Sequence, residues 1–179
     1  MNATASTWAI DPTHSEVQFK VKHLVISTVT GAFKTFSGNA VFEGDMPDNA
    51  RINFTMDPAS IDTNQAQRDG HLKSPEFFDT EKYPAITFES TSVTHAKGDL
   101  YKISGNLTIK GVTKAVEIEA EHGGTAVDPY GNTKMGFEVT GTVNRKEFGL
   151  TWNAVTEAGS VVVGEDIKLI ANIQLVKQS

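Results

Sequence analysis

The stretch Tyr101–Glu121, YKISGNLTIKGVTKAVEIEAE, decides the fold. Tyr101, Ile103, Leu107 and Ile109 recur in phase with period two, and Gly105 falls on the same side, where it marks a bulge or a point of close approach. Lys110-Gly111 then makes a tight turn into Val116, Ile118 and Ala120, which alternate with Glu117, Glu119 and Glu121. Successive side chains of a strand point to opposite faces, so this is a β-hairpin with one greasy side and one wet side.

The same pattern continues on both sides of the hairpin. Downstream, Asp128-Pro129-Tyr130-Gly131 is a turn, and Met135, Phe137, Val139, Gly141 and Val143 alternate after it. Arg145 to Trp152 reads as a connector, and Asp166 to Val176 closes the chain with Ile167, Leu169, Ala171, Ile173 and Leu175 in phase. Upstream, a strand from Ala85 to Val93 carries Ile86 and Phe88 in phase and turns at Lys97-Gly98-Asp99. Earlier still, Val17, Phe19, Val21 and His23 share one face of Ser15 to His23, and Ile52, Phe54 and Met56 share one face of Arg51 to Met56. Ala32 to Glu43 has Phe36, Ala40 and Phe42 on one face and Phe33 and Val41 on the other, as in a strand covered on both sides. Leu24 to Thr30 fits either a short helix or a bent continuation ending at Gly31. Trp8 and Trp152 lie outside these phases and are expected to close the bottom of a barrel.

About eight antiparallel strands joined by short turns have two common solutions, a sandwich of two sheets or one sheet closed on itself. The expected fold is all-β: an extended, eight-stranded antiparallel barrel with a short helical insertion. An eight-stranded barrel is either filled by side chains or holds one slender ligand. Inward faces that mix Phe, Ile and Val with Gly105, Gly141, Ser90 and His23 favour the second.

The one stretch without a β pattern is Asn64 to Pro84, NQAQRDGHLKSPEFFDTEKYP. Asn64 with Gln67 three residues later suggests a capping box, and Asp69 with Lys73 a favourable pair four apart, so a helix is expected over about Asn64 to Leu72. Ser74-Pro75 starts a second turn carrying Phe77 and Phe78. Tyr83 before Pro84 returns the chain to extended backbone. This segment is expected to lie over a barrel end as a lid.

At 179 residues the chain is expected to be one domain, able to bury roughly 70% of its unfolded surface. With no cysteine it has neither disulfides, thiol chemistry nor cysteine-held metals. A net charge of −6 without a basic, aromatic-interleaved stripe argues against nucleic acid. The start MNATASTW lacks a secretory pattern and no apolar run is long enough for a transmembrane segment. A cytoplasmic location is expected, or a periplasmic one if an export signal has been cut away ahead of a new methionine.

His14, His23, His71, His95 and His122 are scattered without ligand spacing, so no metal and no cofactor are expected. Arg68, His71 and Lys73 on the lid helix are suited to an anionic head group. Equally, Asp69 can tie an arginine or a backbone group and simply hold the lid down. Arg145, near Glu147, has the same two readings.

Five blocks stand in order: WAIDPTHSEVQF, GAFKTFSG, SIDTNQAQRDGHLKSPEFFDTEKYPAITFES, GNLTIKGVTKAVEIE and NRKEFGLTW. Along almost the whole chain this series resembles the YceI-like family. The resemblance implies a lipocalin-like barrel whose elongated apolar cavity holds a polyisoprenoid or other long-chain lipid. By position, the family's RDxHL pattern falls on Arg68, Asp69, His71 and Leu72, its HS pair on His14 and Ser15, and its N-R element on Asn144 and Arg145. Many members carry an export signal ahead of the tryptophan, and this sequence shows none.

The leading expectation is therefore a lipid-binding protein that is not an enzyme. Its ligand-binding residues are expected to be Phe19, Val21, His23, Phe36, Phe42, Arg68, His71, Phe77, Ile86, Phe88, Ile103, Leu107, Phe137, Val139 and Arg145, with the polar head near Arg68, His71 and Arg145. A homodimer is compatible with such a barrel. Two other readings are an enzyme acting on a lipid or small electrophile with His71 and Asp69 as its acid–base pair, and a stress-associated structural module whose barrel is filled by its own side chains.

Overall fold

The computed structural model describes residues 5–24, 26–153 and 163–178. Its strands are β1 (Ala5–Ile10), β2 (Glu16–His23), β3 (Ser27–Phe33), β4 (Phe36–Glu43), β5 (Arg51–Met56), β6 (Ile61–Asp62), β7 (Ile86–Lys97), β8 (Leu100–Ile109), β9 (Val112–Val127), β10 (Thr133–Asn144) and β11 (Asp166–Lys177). The single α-helix among the described residues, α1, spans Ala66–Lys73. Every pairing between these strands is antiparallel, in the order β1-β4-β5-β7-β8-β9-β10-β11, and β11 returns to β1 to close eight strands into a barrel.

β2, β3 and β6 extend three of the eight wall positions past a break. β1 and β2 both pair with β11, through Ile10 opposite Leu175 and Glu16 opposite Asn172. The break between them is a 3-10 turn, Pro12–His14, capped by Asp11, whose carboxylate accepts the Thr13 N–H at 3.0 Å. Asp57 caps the turn Pro58–Ser60 between β5 and β6 in the same way, accepting from the Ala59 N–H at 2.8 Å. β3 and β4 part at Lys34 and Thr35, whose backbone groups bond across to Ser60 and Asp57. The three breaks thus lie side by side.

Strand phases over Tyr101–Glu121 are as expected: Tyr101, Ile103, Leu107 and Ile109 are buried, and Glu117, Glu119 and Glu121 are exposed. Lys110 (φ 52°) and Gly111 (φ 77°) form the turn, with two successive positive φ values suited to the twist of a hairpin. Gly105 is a close-approach glycine, since a Cβ there would lie 2.4 Å from the Glu89 carbonyl oxygen and 2.5 Å from Phe88 Cζ. The bulge itself is in the facing strand, between Ser90 and Ser92. Gly141 is similarly occupied by Ile118 Cγ2, 2.6 Å from the place of a Cβ. These glycines do not leave the room expected of them, because neighbouring side chains fill it. Ser90 is engaged as well: its hydroxyl accepts the Ile52 N–H of β5 at 2.8 Å.

Three expectations are corrected. Trp8 belongs to β1, a strand the alternation at the start of the chain did not announce, and Trp152 lies at the lid end against His71 and Phe77. The described residues between 24 and 30 contain no helix: Leu24 takes a positive φ of 54° and His23 pairs with Ser27 as β2 returns into β3, in which Gly31 makes room for the Phe19 ring. Asn64 is not the helix cap, since it takes a positive φ of 65° and donates its N–H to Asp62, while the cap position, Gln65, makes no side-chain bond.

Candidate functional site: an apolar bore in the barrel

Inward faces of the eight wall positions enclose a cavity of about 190 Å³. Ala40, Val93 and Tyr101 line it toward the end where β4 turns into β5, and Ile10 and Leu175 line it as cross-strand partners where β1 meets β11. Met56, Phe88, Leu107 and Val116 line it toward the lid. Side chains with polar atoms do stand on the wall, namely Gln18, Asn39 and Tyr101, yet virtually none of its surface comes from polar atoms. Burial, followed by the Asp48 and Asp99 carboxylates, raises the pKa of the Tyr101 phenol, so it stays neutral.

Of the residues expected to bind a ligand, Phe88, Ile103, Leu107, Phe137 and Val139 are brought together on this wall. Phe19, Phe36, Phe42 and Ile86 are in or against the same core without facing the bore. Phe19 packs on Phe33 with ring centroids 5.5 Å apart, Phe36 stacks on the wall residue Phe54, and Phe42 stacks on Trp8. Val21 and His23 are half-buried further along β2, where Val21 pairs with Val29 and His23 with Ser27 and Val163. Wall residues outside the expected set include Val17, Ile52, Phe54, Leu169, Ala171 and Ile173. All six lie in strands the alternation did reveal. What it could not show is which inward side chains meet empty space and which meet each other.

The expected head-group cluster is distributed differently. Arg145 is only 3% exposed. Its guanidinium donates to four backbone carbonyls, those of Gly164 (2.7 Å), Leu150 (2.6 Å), Trp152 (2.8 Å) and Val163 (3.2 Å). Desolvation lowers its pKa, with the Glu165 charge opposing. Arg68 donates to the hydroxyl and carbonyl oxygens of Thr63 at 2.8 and 2.7 Å, and Asp69 accepts the Thr63 N–H at 2.8 Å. In this geometry both arginines fasten connecting segments instead of presenting charge to the bore. The Asp69 carboxylate reaches back over the helix start to Thr63, accepting from its hydroxyl as well as its N–H.

His71 is partnered by Glu76, with Nε2 and Oε2 2.6 Å apart, and not by Asp69. Its ring stands edge-on to Phe77 and Trp152 at 5.1 and 4.8 Å. Phe77 is buried, and Phe78 meets Phe33 edge-on at 5.9 Å. They sit on irregular turns following α1, not on a second helical turn, since Asp79 takes φ 48° and its N–H returns to the Ser74 carbonyl. Lys110 ties this segment to the β8–β9 turn by donating to the Pro75 carbonyl at 2.9 Å. Phe78 packs into one core with Phe33, Ile61, Ile109 and the fully buried Phe148, and Phe77 is buried against His71 and Trp152.

Among the described residues no three His, Cys, Asp or Glu side chains are grouped to hold a metal ion, and no helix is long and apolar enough to cross a membrane.

A closed antiparallel barrel with a hydrocarbon-walled bore and a packed lid defines the lipocalin-like class of barrel proteins. Within that class the assignment is narrower: a YceI-like domain model matches residues 8–175, and the chain belongs to that family. It is 39% identical over 179 residues to the YceI protein of Salmonella newport, covering 99% of this chain and 90% of that one. BcnA of Burkholderia cenocepacia has the same fold, with a TM-score of 0.80 at 22% identity over 92% of this chain and 98% of its own. A polyisoprenoid binding domain from Saccharophagus degradans superposes with a TM-score of 0.71 at 15% identity, covering 98% of this chain and 99% of that chain.

Proposed function

We propose that this chain binds a long-chain isoprenoid or related amphiphilic lipid in the barrel and sequesters or carries it without chemical change. The observation that carries the reading is the bore itself: a cavity through a barrel interior with almost no polar surface rewards only the burial of hydrocarbon, at about 25 cal/mol per Å². The solved domain of like fold from Saccharophagus degradans, described as polyisoprenoid-binding, supports the same ligand class.

At about 190 Å³ the bore is close in size to engineered cavities of ~150 Å³ that take one benzene. A chain of many isoprene units therefore enters by spreading the walls. Wall residues proposed to touch it are Phe88, Ile103, Leu107, Phe137 and Val139 together with Ile10, Phe54, Ala171 and Ile173. Native mass spectrometry of protein purified without detergent, followed by lipid extraction, is expected to show a long-chain species bound one to one. A mass equal to that of the bare chain, even after incubation with prenyl lipids, would overturn the proposal.

A further inference from the structure

Trp8 lies two residues before Ile10 in β1 and directly opposite Ala40 in β4, both of which line the bore. Its ring is 3% exposed and stacks on Phe42, with centroids 5.4 Å apart and planes 10° from parallel. Its Nε1–H is the one buried side-chain polar group among the described residues that has no hydrogen-bond partner. The other buried polar side chains are all engaged: Ser15 accepts the Gln174 N–H, Thr63 bonds Asp69, and Arg145 holds four carbonyls. Buried donors are almost always paired, because leaving one unmade forfeits its hydration with no return. A phenylalanine would stack on Phe42 equally well without that cost.

We infer that Trp8 is a specificity-determining residue, whose indole N–H donates to an uncharged oxygen of the bound lipid, a carbonyl or ether, and so fixes its polar end at the β1 side of the barrel, away from the lid. This rests on the reading of the barrel as a lipid binder. Three observations converge on it. The lid end is occupied by the buried rings of Phe33, Phe77 and Phe148, with Phe78 edge-on to Phe33, and none of these rings lines the bore. Trp8 shares the inward phase of Ile10 and stands opposite Ala40, so it lies beside the bore wall without lining it, and in the proposal the widening that admits a chain brings Nε1 within reach of the lipid. The group also has to be neutral. Arg68 and Arg145 are committed to backbone and hydroxyl oxygens, and Lys177, the cross-strand partner of Trp8, is exposed, so a charge buried beside the indole N–H would have no desolvated cation to pair with.

The test is ¹⁵N-tryptophan NMR on the intact protein, with Trp152→Phe assigning the two indole signals. Three probes of equal prenyl chain length are titrated: one ending in a quinone, one in plain hydrocarbon and one in a diphosphate. The quinone is expected to move the Trp8 indole proton downfield, the hydrocarbon to bind without that shift, and the diphosphate to bind more weakly than the quinone. Trp8→Phe is expected to lower quinone affinity about tenfold, the size of one net hydrogen bond, while leaving hydrocarbon affinity within about twofold. If the methyl signals of Ile103 and Leu107 respond to the quinone but the Trp8 indole does not, the inference fails and lipid binding stands. If neither responds to any probe, both fail. A diphosphate that binds tighter than the quinone also overturns the inference.

Discussion

Arg145 shows how far a charged side chain can be drawn into purely structural service. Four of its five N–H donors reach main-chain oxygens of residues 150, 152, 163 and 164, so one side chain gathers two separate segments at the lid end. Replacing it by methionine, which matches much of its length, leaves those carbonyls without donors. Arg145→Met is expected to lower unfolding stability by about 3 kcal/mol or more, seen as a lower urea midpoint. An outcome within about 0.5 kcal/mol of the parent would show that the carbonyls find water instead. The sequence left Arg145 and Arg68 undecided between anion binding and structural use. That choice depends on whether backbone oxygens from other segments fall within reach of the guanidinium, and spacing along the chain does not encode it. Wall residues such as Phe88 and Ile103 were legible because alternation alone sends them inward, whereas Phe19 and Phe42 share that direction and are taken up by Phe33 and Trp8.

At the scale of elements, the long alternating strands could be read from the sequence and the breaks within wall positions could not. β8, β9, β10 and β11 are strands of ten or more residues that announce themselves by alternation, while β1 has six residues and β6 two. The signal for two of the breaks was present as Asp11-Pro12 and Asp57-Pro58, an Asp cap followed by proline at the first turn position. Asp11 is the more heavily used cap. Its carboxylate accepts from the Thr13 hydroxyl, from the Thr13 N–H and from His14, and the Thr13 and His14 contacts hold its pKa far below the ordinary carboxylate range. A depressed folded-state pKa contributes stability that is present above the unfolded value of about 3.9 and is lost as pH falls through the folded one. Asp11→Ala is expected to cost about 1 kcal/mol at neutral pH. The gap between variant and parent should narrow as pH falls below about 4, in urea titrations from neutral pH down to about pH 2. A gap that stays constant over that range would mean the carboxylate charge contributes nothing to the cap.

For the whole molecule, a bore of about 190 Å³ makes ligand binding and barrel dimensions one problem. A phenylalanine at Ala171, on the wall opposite Val17, places a ring in most of that space. Ala171→Phe is expected to cost about 1–3 kcal/mol by overpacking. It should also abolish lipid co-purification, while the far-ultraviolet β signature is kept. Conversely, a lipid supplied at a hundred times its dissociation constant stabilises the folded barrel by about 2.7 kcal/mol. For a chain of this size that is a rise of about 5–10 °C in Tm by differential scanning fluorimetry. No change in Tm with any prenyl lipid would speak against occupancy of the interior. Closure into a barrel was legible because so many short-turned antiparallel strands leave few alternatives. The amount of free space was not, since Gly105 and Gly141 read as vacancies and are occupied by Phe88 and Ile118.

The three interrupted staves, β1/β2, β3/β4 and β5/β6, are neighbours around the cask, and their interruptions fall at one height. There the ladder of main-chain bonds gives way partly to the Ser15 and Ser60 hydroxyls. A cylinder creased along one part of its girth can yield at that crease while every stave keeps its neighbour, so on the proposed reading the girdle at residues 11–15, 34–35 and 57–60 is where the diameter would give to a cargo.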